Sequence, residues 1–229
     1  MSKRHTVVIS VGGSLLVPDN IDISFIRRLK EIVKTLLGEG IRVALTIGGG
    51  KTARTYQSAL KEFEEVTKED LDWVGIKALL LNAEFVLRAF SDLSPYPRVL
   101  EKPEDFHPSS KEGLFIIGAH KPGFSSDMDA VLFAKFLGAE EIINFSNIEY
   151  VYDSDPRVNP NAKKFEHLTW ESYRSLIPKE WTPGLSVPFD PVASEYAHRL
   201  GLKVVVLGAS LENLRNYLQG GSYRGTVIS

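Results

Sequence analysis

Ile41-Arg-Val-Ala-Leu-Thr-Ile-Gly-Gly-Gly-Lys-Thr-Ala-Arg54 decides the reading of this chain. Its first half is a β-branched, apolar run of strand length, and three glycines then lead into residues with helical preferences. Strand, glycine turn and helix follow one another without a spacer. Glycines let the backbone approach a ligand closely, and a helix start offers unpaired N–H groups and the positive end of its dipole. An anion fits such a turn. Lys51 and Arg54 add positive charge in the first helical turn, where the dipole alone favours acidic residues. That conflict points to function.

Two named motifs compete for the same residues. Gly50-Lys51-Thr52 looks like the end of a P-loop, but the position five residues before Gly50 is Leu45 and not glycine, so the pattern fails. Gly48-x-Gly50-x-x-Ala53 satisfies a dinucleotide-binding fingerprint and stays open as an alternative.

Upstream, Thr6–Val11 reads as a buried strand running straight into Gly12-Gly13-Ser14. From 23 to 37 the apolar residues Phe25, Ile26, Leu29, Ile32, Val33, Leu36 and Leu37 recur at helical spacing. A right-handed crossover of this kind makes 42–47 a parallel neighbour of 6–11. Both glycine turns then face one cleft at the carboxyl ends of adjacent strands, where ligands bind in open α/β sheets.

Farther along, the acidic 62–72 stretch is expected to be a solvated loop between helices, and 73–90 a helix. Four prolines between 91 and 108 predict an irregular, exposed segment. Residues 113–118 form a strand whose end leads through Ser125, Ser126 and Asp127 into a helix ending near Leu137; those side chains suit helix capping as well as function. Residues 141–145 form another strand. The segment 146–156 is a loop or hairpin, where Asp153 and Asp155 serve a turn ahead of Pro156 more readily than a metal. Helix 189–200, strand 203–207, helix 211–218 and strand 225–228 complete the order.

The whole chain has 229 residues, 43% of them hydrophobic and 24% charged, with a formal charge of −2 and no cysteine. It is long enough to bury a core without staples. Its charge gives no general affinity for nucleic acid or acidic membranes. Disulfides and thiolate chemistry are excluded. The apolar run near the N-terminus is too short and β-branched for a signal sequence, and no stretch is long enough to span a membrane, so a cytoplasmic location is expected.

Taken in order, Val8-Ile-Ser-Val-Gly-Gly-Ser14, Gly48-Gly-Gly-Lys-Thr-Ala-Arg54, Gly123-Phe-Ser-Ser-Asp127, Val151-Tyr-Asp-Ser-Asp-Pro156, Phe189-Asp-Pro-Val-Ala193 and Gly225-Thr-Val-Ile228 resemble the amino acid kinase superfamily. Within it they are most similar to the archaeal-type uridylate kinases. The resemblance implies a three-layer αβα sandwich with a mainly parallel sheet, formed by a single domain over 1–229. An acceptor-binding lobe would cover about 1–135 and an ATP-binding lobe about 136–229. It implies phosphoryl transfer from ATP, with Mg²⁺, to a small anionic acceptor, UMP in the nearest relatives. Homohexamers built as trimers of dimers, or dimers, are implied too.

By the same resemblance Gly12, Gly13, Ser14, Gly49 and Gly50 hold the transferring phosphoryl, Lys51 supplies charge, and Asp127 orients the turns and Lys51. Arg54 falls to the acceptor phosphate, Asp72 and Gly75 to the ribose side, and Ser125 and Ser126 to the pyrimidine nucleotide. Asn147, Tyr152, Asp155 and Pro156 fall to ATP, and no protein residue is assigned to the metal. The chain departs from the pattern at Ser10, where many superfamily members carry lysine but archaeal uridylate kinases do not. It departs also at Leu80 in place of arginine, at Tyr150 in place of glycine, at Ser125-Ser126 in place of two threonines, and at an inserted Lys121. These allow an acceptor other than UMP, another small phosphate or carboxylate, or a nucleotide-binding protein without turnover.

Overall fold

The computed structural model describes residues 5–106, 112–180, 185 and 187–229. In chain order the elements are β1 (Thr6–Val11), α1 (Gly13–Leu16), α2 (Ile23–Gly38), β2 (Arg42–Ile47), α3 (Gly50–Leu60), α4 (Lys68–Ala89), β3 (Leu114–Ile117), α5 (Ser126–Leu137), β4 (Glu141–Phe145), β5 (Val151–Tyr152), β6 (Lys164–Phe165), β7 (His167–Leu168), α6 (Trp170–Leu176), α7 (Pro191–Arg199), β8 (Lys203–Leu207), α8 (Leu211–Leu218) and β9 (Gly225–Ile228).

Seven strands form one sheet in the order β3-β2-β1-β4-β8-β9-β7, and only the β8–β9 pairing is antiparallel. Strands buried on both faces need apolar residues at consecutive positions, which is how Val7-Val8-Ile9 and Val204-Val205-Val206 read. Side chains alternate between two cores. Val7, Ile9 and Val11 pack with α2, α4 and α8 on one face, whereas Val8, Phe115, Ile142 and Val206 pack with α5, α6 and α7 on the other. The architecture is the three-layer sandwich expected, and β5 pairs with β6 as a small hairpin outside it.

Local chemistry sets the helix boundaries. Asp22 caps α2 by accepting from the Phe25 N–H at 2.8 Å. Thr67 and Asp70 form a capping box that starts α4 at Lys68, so the acidic stretch is not one continuous loop: residues 68–72 are helical. The last long helix begins at Pro191 because Asp190 caps it, two residues later than expected.

The proline-rich stretch is a second correction. It is irregular as predicted, but Leu100 and Phe106 are buried, and Leu100 bridges to Ile117 at the sheet edge. Phe106 meets Phe115 and Tyr96 edge-on, with ring centroids 4.9 and 5.0 Å away. Proline removes donors without removing hydrophobicity, so the segment covers β3 as an apolar strap. Residues 107–108 lie outside the described residues.

Phe106→Ala is accordingly expected to destabilise the fold by about 3–5 kcal/mol in denaturant unfolding. A solvent-exposed segment would give a cost within about 0.5 kcal/mol.

Candidate active site

The register Val11↔Ile47 ends β1 and β2 level with each other. The two glycine turns therefore meet. A Cβ on Gly13 would stand 2.1 Å from the Gly50 nitrogen, and one on Gly48 would stand 2.4 Å from the Gly13 nitrogen. Gly50 has φ +58° and a Cβ there would lie 2.3 Å from the Gly13 carbonyl oxygen. Only glycine satisfies both constraints. Gly48 and Gly50 are thus used for turn-against-turn packing rather than for a pyrophosphate, which accounts for the dinucleotide fingerprint.

Hydrogen bonding sorts the N–H groups of this edge. Gly12 donates to the Phe145 carbonyl at 2.8 Å, Gly48 to Val11 at 3.1 Å and Lys51 to Val17 at 2.9 Å. Those three are committed to the scaffold. Gly13 and Ser14 open α1, while Gly49 and Gly50 open α3, positions whose N–H groups have no intrahelical acceptor and lie where an anion would bind.

Asn82 of α4 was not singled out from sequence. Buried to 7% exposure, its amide donates to the Gly48 and Gly49 carbonyls, both at 3.0 Å. One polar residue within Leu79-Leu-Leu-Asn-Ala83 was the available signal. The side chains of Lys51 and Arg54 are exposed beside the turns, and the Arg54 guanidinium donates to the Ser14 hydroxyl at 3.2 Å.

On the β3 side, Asp72 accepts from the Gly123 N–H at 3.0 Å, tying the loop after β3 to α4. Gly75 faces Gln57, whose amide nitrogen would be 2.5 Å from an added Cβ and which donates to the Leu71 carbonyl. Ser125 caps α5 through the Met128 N–H, and Ser126 is its first residue. Leu80 packs beneath Gly118, where a Cβ would come within 2.5 Å of it. Lys121 lies 4.7 Å above the Phe124 ring.

Asp127 sits between the two sides. Its Oδ2 accepts from the Asp190 N–H at 3.0 Å, and its Oδ1 takes longer contacts of 3.4 Å from the Ser10 hydroxyl and the Asn144 amide. Ser10 and Asn144 are register partners on β1 and β4, the polar residues that face α5 near the strand ends. Part of Asp127 stays open to solvent, as a group facing a cleft does, yet the protein packed around its carboxyl raises the pKa from 3.8 to about 7, with the nearby Asp190 adding to the rise. Burial raises Asp190 and Asp129 as well. The His120 N–H tempers the rise at Asp129, although neither oxygen makes a well-formed hydrogen bond.

The remaining residues line a cavity of about 600 Å³. Asn147, Tyr152, Asp155 and Pro156 are brought together there, and Ile177 and Pro188 also line it. Asp155 is paired with Arg157 at 2.8 Å, which holds its carboxyl below the usual range, and Asp153 accepts from the Lys163 N–H at 2.9 Å. Both acids serve the β5–β6 hairpin. Tyr150 is buried in the cavity wall with the Lys164 ammonium 4.4 Å above its ring.

A doubly covered, mainly parallel sheet with apposed glycine turns and cations at its carboxyl edge defines an α/β protein built to handle phosphoryl groups. The chain belongs to the amino acid kinase family, whose profile matches residues 5–208. It is 34% identical to the uridylate kinase of Thermococcus onnurineus over 230 residues, 97% of this chain and 98% of that one. Identity to the uridylate kinase of Pyrococcus abyssi is 32%, with the same shares covered. The crystal structure of uridylate kinase from Archaeoglobus fulgidus superposes with a TM-score of 0.82 at 28% identity, covering 97% of this chain and 99% of that one. That of UMP kinase from Ureaplasma parvum, 22% identical with 99% of each chain covered, shares the fold with a TM-score of 0.76.

The raised Asp127 pKa gives a signed expectation. The native protein holds a proton that the unfolded chain releases between about pH 4 and 7, so this contribution to stability is complete below the unfolded pKa and is lost as pH rises through the folded one. The unfolding free energy at pH 5 minus that at pH 8 should therefore shrink in Asp127→Asn, measured by urea denaturation. An undiminished difference would place the titration elsewhere.

Proposed function

We propose that this protein transfers the γ-phosphoryl group of ATP to the phosphate of UMP, giving UDP and ADP. The observation that carries the reading is the pair of glycine turns packed against each other, with Arg54 and Lys51 alongside. Asp127 opens α5 after the Asp72-anchored loop and accepts from the Asp190 N–H, two residues beyond Pro188 in the cavity wall. Likeness to uridylate kinases over 97% of the chain supports UMP as acceptor.

In this reading an oxygen of the UMP phosphate attacks the γ-phosphorus in line, and the bond to the β–γ bridging oxygen breaks. The acceptor is already ionised near neutral pH, so no side-chain nucleophile is needed. Acceleration comes from positioning and from neutralising charge on the equatorial oxygens. The N–H groups of Gly13, Ser14, Gly49 and Gly50 are aimed at those oxygens, and Lys51 adds charge that matters most in the transition state. Gly12 shapes the first turn. Arg54 holds the UMP phosphate, with Asp72, Gly75, Ser125 and Ser126 around the nucleoside.

Asn147, Tyr152, Asp155 and Pro156 hold ATP, which enters as its Mg²⁺ complex. Mg²⁺ would be carried by phosphate oxygens and water, with no protein residue assigned to it. We further propose an acceptor lobe over about 1–135 and an ATP lobe over about 136–229, a homo-oligomer that is a dimer or a hexamer of three dimers, and a cytoplasmic location. Among the described residues no helix is long and apolar enough to cross a membrane.

Purified protein given Mg·ATP with UMP, CMP, dUMP, AMP or small carboxylic acids should release ADP fastest with UMP, preferring it by about tenfold or more, since an analogue leaves a buried polar partner unpaired. Turnover only with a different acceptor would keep the kinase and overturn UMP. ATP binding without turnover would make this a nucleotide-binding protein.

Arg54→Ala is expected to raise the KM for UMP about tenfold while changing kcat little, whereas Lys51→Ala should lower kcat about a hundredfold at nearly unchanged KM. Steady-state kinetics with each substrate varied distinguish these roles. Wild-type constants in both variants would remove the assignment.

A further inference from the structure

Pro188, Phe189 and Asp190 belong to no strand or helix, yet Phe189 and Asp190 are buried. Backbone polar groups in such a segment must find partners outside any regular ladder. Phe189 finds both of its partners in one atom. The Tyr173 hydroxyl of α6 donates to the Phe189 carbonyl at 2.5 Å and accepts from the Phe189 N–H at 2.7 Å. Tyr173 is fully buried, its ring edge-on to Trp170 at 6.3 Å, and the Trp170 indole N–H is itself fixed on the Leu202 carbonyl. The hydroxyl cannot swing away.

The residues on either side of Phe189 both lead to Asp127. Asp190 donates its N–H to Asp127 Oδ2, and its own Oδ1 is held by the Ala193 N–H at 2.7 Å. The Pro188 carbonyl accepts from the Asn144 amide at 2.8 Å, and that amide also reaches Asp127 Oδ1. Three consecutive residues are thus pinned; Asp190 bonds the Asp127 carboxylate directly, and Pro188 reaches it through Asn144. At its other end the same region faces the cavity, whose wall includes Leu176 and Ile177 at the end of α6, and Pro188.

We propose that Tyr173 is a positioning residue for the transfer step: by clamping the Phe189 backbone, its hydroxyl sets the Asp190 N–H and the Pro188 carbonyl so that Asp127 is held at the transfer edge. Tyr173 touches no reacting atom. It acts through the Pro188–Asp190 segment, and so ties α6, a wall of the ATP-side cavity, to the carboxylate between the two sides. The inference rests on the kinase reading for its kinetic consequence, but the geometry it describes does not.

Tyr173→Phe keeps the ring and removes only the hydroxyl. Two buried backbone groups lose their partner, and the hydrogen bond that favours ionised Asp127 loosens. The groups facing Asp127 are the Ser10 hydroxyl from β1, the Asn144 amide from β4, Tyr173 from α6, the Asp190 N–H and carboxylate, and Asp129 on its own helix. Of these the substitution removes only the Tyr173 hydroxyl and replaces no other side chain, so a moved titration reports that hydroxyl and the Asp190 N–H that it sets.

The test combines kinetics with a carboxyl-carbon NMR titration of Asp127 in wild type and Tyr173→Phe. The expected result is a kcat lower by about tenfold, KM values for both substrates within about twofold, and an Asp127 titration moved to higher pH. Loss of general packing would instead lower the folded fraction and leave the titration of the folded protein in place. Trp170→Phe, which disturbs the same core with the hydroxyl intact, should not move the titration.

If Tyr173→Phe fails to fold, site-specific 3-fluorotyrosine at 173 alters the hydroxyl's donor and acceptor strength in an unaltered core and should still move the titration. An unmoved Asp127 titration with unchanged kcat, or an unmoved titration in the fluorinated protein, overturns the proposal. A moved titration in a protein that turns over no acceptor would keep the positioning role and overturn the kinase reading instead.

Discussion

Everything at the active edge depends on two stretches of backbone touching where no side chain can stand between them. Gly13 faces Gly48 and Gly50 at distances a Cβ cannot occupy. This contact requires β1 and β2 to be adjacent, parallel and level, which the six-residue register from Thr6↔Arg42 to Val11↔Ile47 supplies. Asn82 then holds the second turn from behind by taking up two of its carbonyls. The result is that both turns are fixed by protein contacts alone, the kind of preorganisation that favours electrostatic stabilisation of developing charge.

Charge is arranged around that patch with the same economy. Lys51 and Arg54 stand exposed, where they are free to meet phosphates, while Asp127 is packed in and tethered through neutral groups on β1, β4 and the segment before α7. Asp127 is expected to orient the glycine turns and Lys51, but its hydrogen-bond partners are Ser10, Asn144 and Asp190, and Ser10, two residues before Gly12, is its link to the first turn's strand. Ser10 stands where many superfamily members carry lysine. A lysine there would pair with Asp127 and keep it ionised; with serine, burial dominates and the carboxyl binds its proton more tightly.

Strand and helix order was legible because periodicity is a local property. Val204-Val205-Val206 and the 23–37 helix announce themselves, and the glycine turns follow from strands that end in glycine. What could not be read were contacts between segments far apart in sequence. Asn82 reaching Gly48 and Gly123 reaching Asp72 each join elements separated by at least one strand or helix, and Tyr173 reaches Phe189 across 16 residues of sequence. The 91–106 stretch is irregular and largely exposed, as its prolines predict, but its aromatic residues, whose contacts are non-local, anchor it on β3. Among the acids of the β5–β6 hairpin, turn chemistry was legible, and Asp153 and Asp155 are engaged there by Lys163 and Arg157.

Tyr150 shows how a departure from a family pattern is absorbed. A tyrosine in place of glycine adds a large ring to the cavity wall, and a ring with one face bare would leave apolar surface next to a charged nucleotide. Lys164, across the hairpin from Tyr152, covers that face at 4.4 Å, while Tyr152 meets the ring edge-on with centroids 6.3 Å apart. The hairpin therefore carries its own compensation: the residue that crowds the cavity is paired with a cation on the adjoining strand. That cation also pairs with Glu166 at 3.1 Å on the exposed side of the hairpin, so the ammonium has an acidic partner as well as the ring.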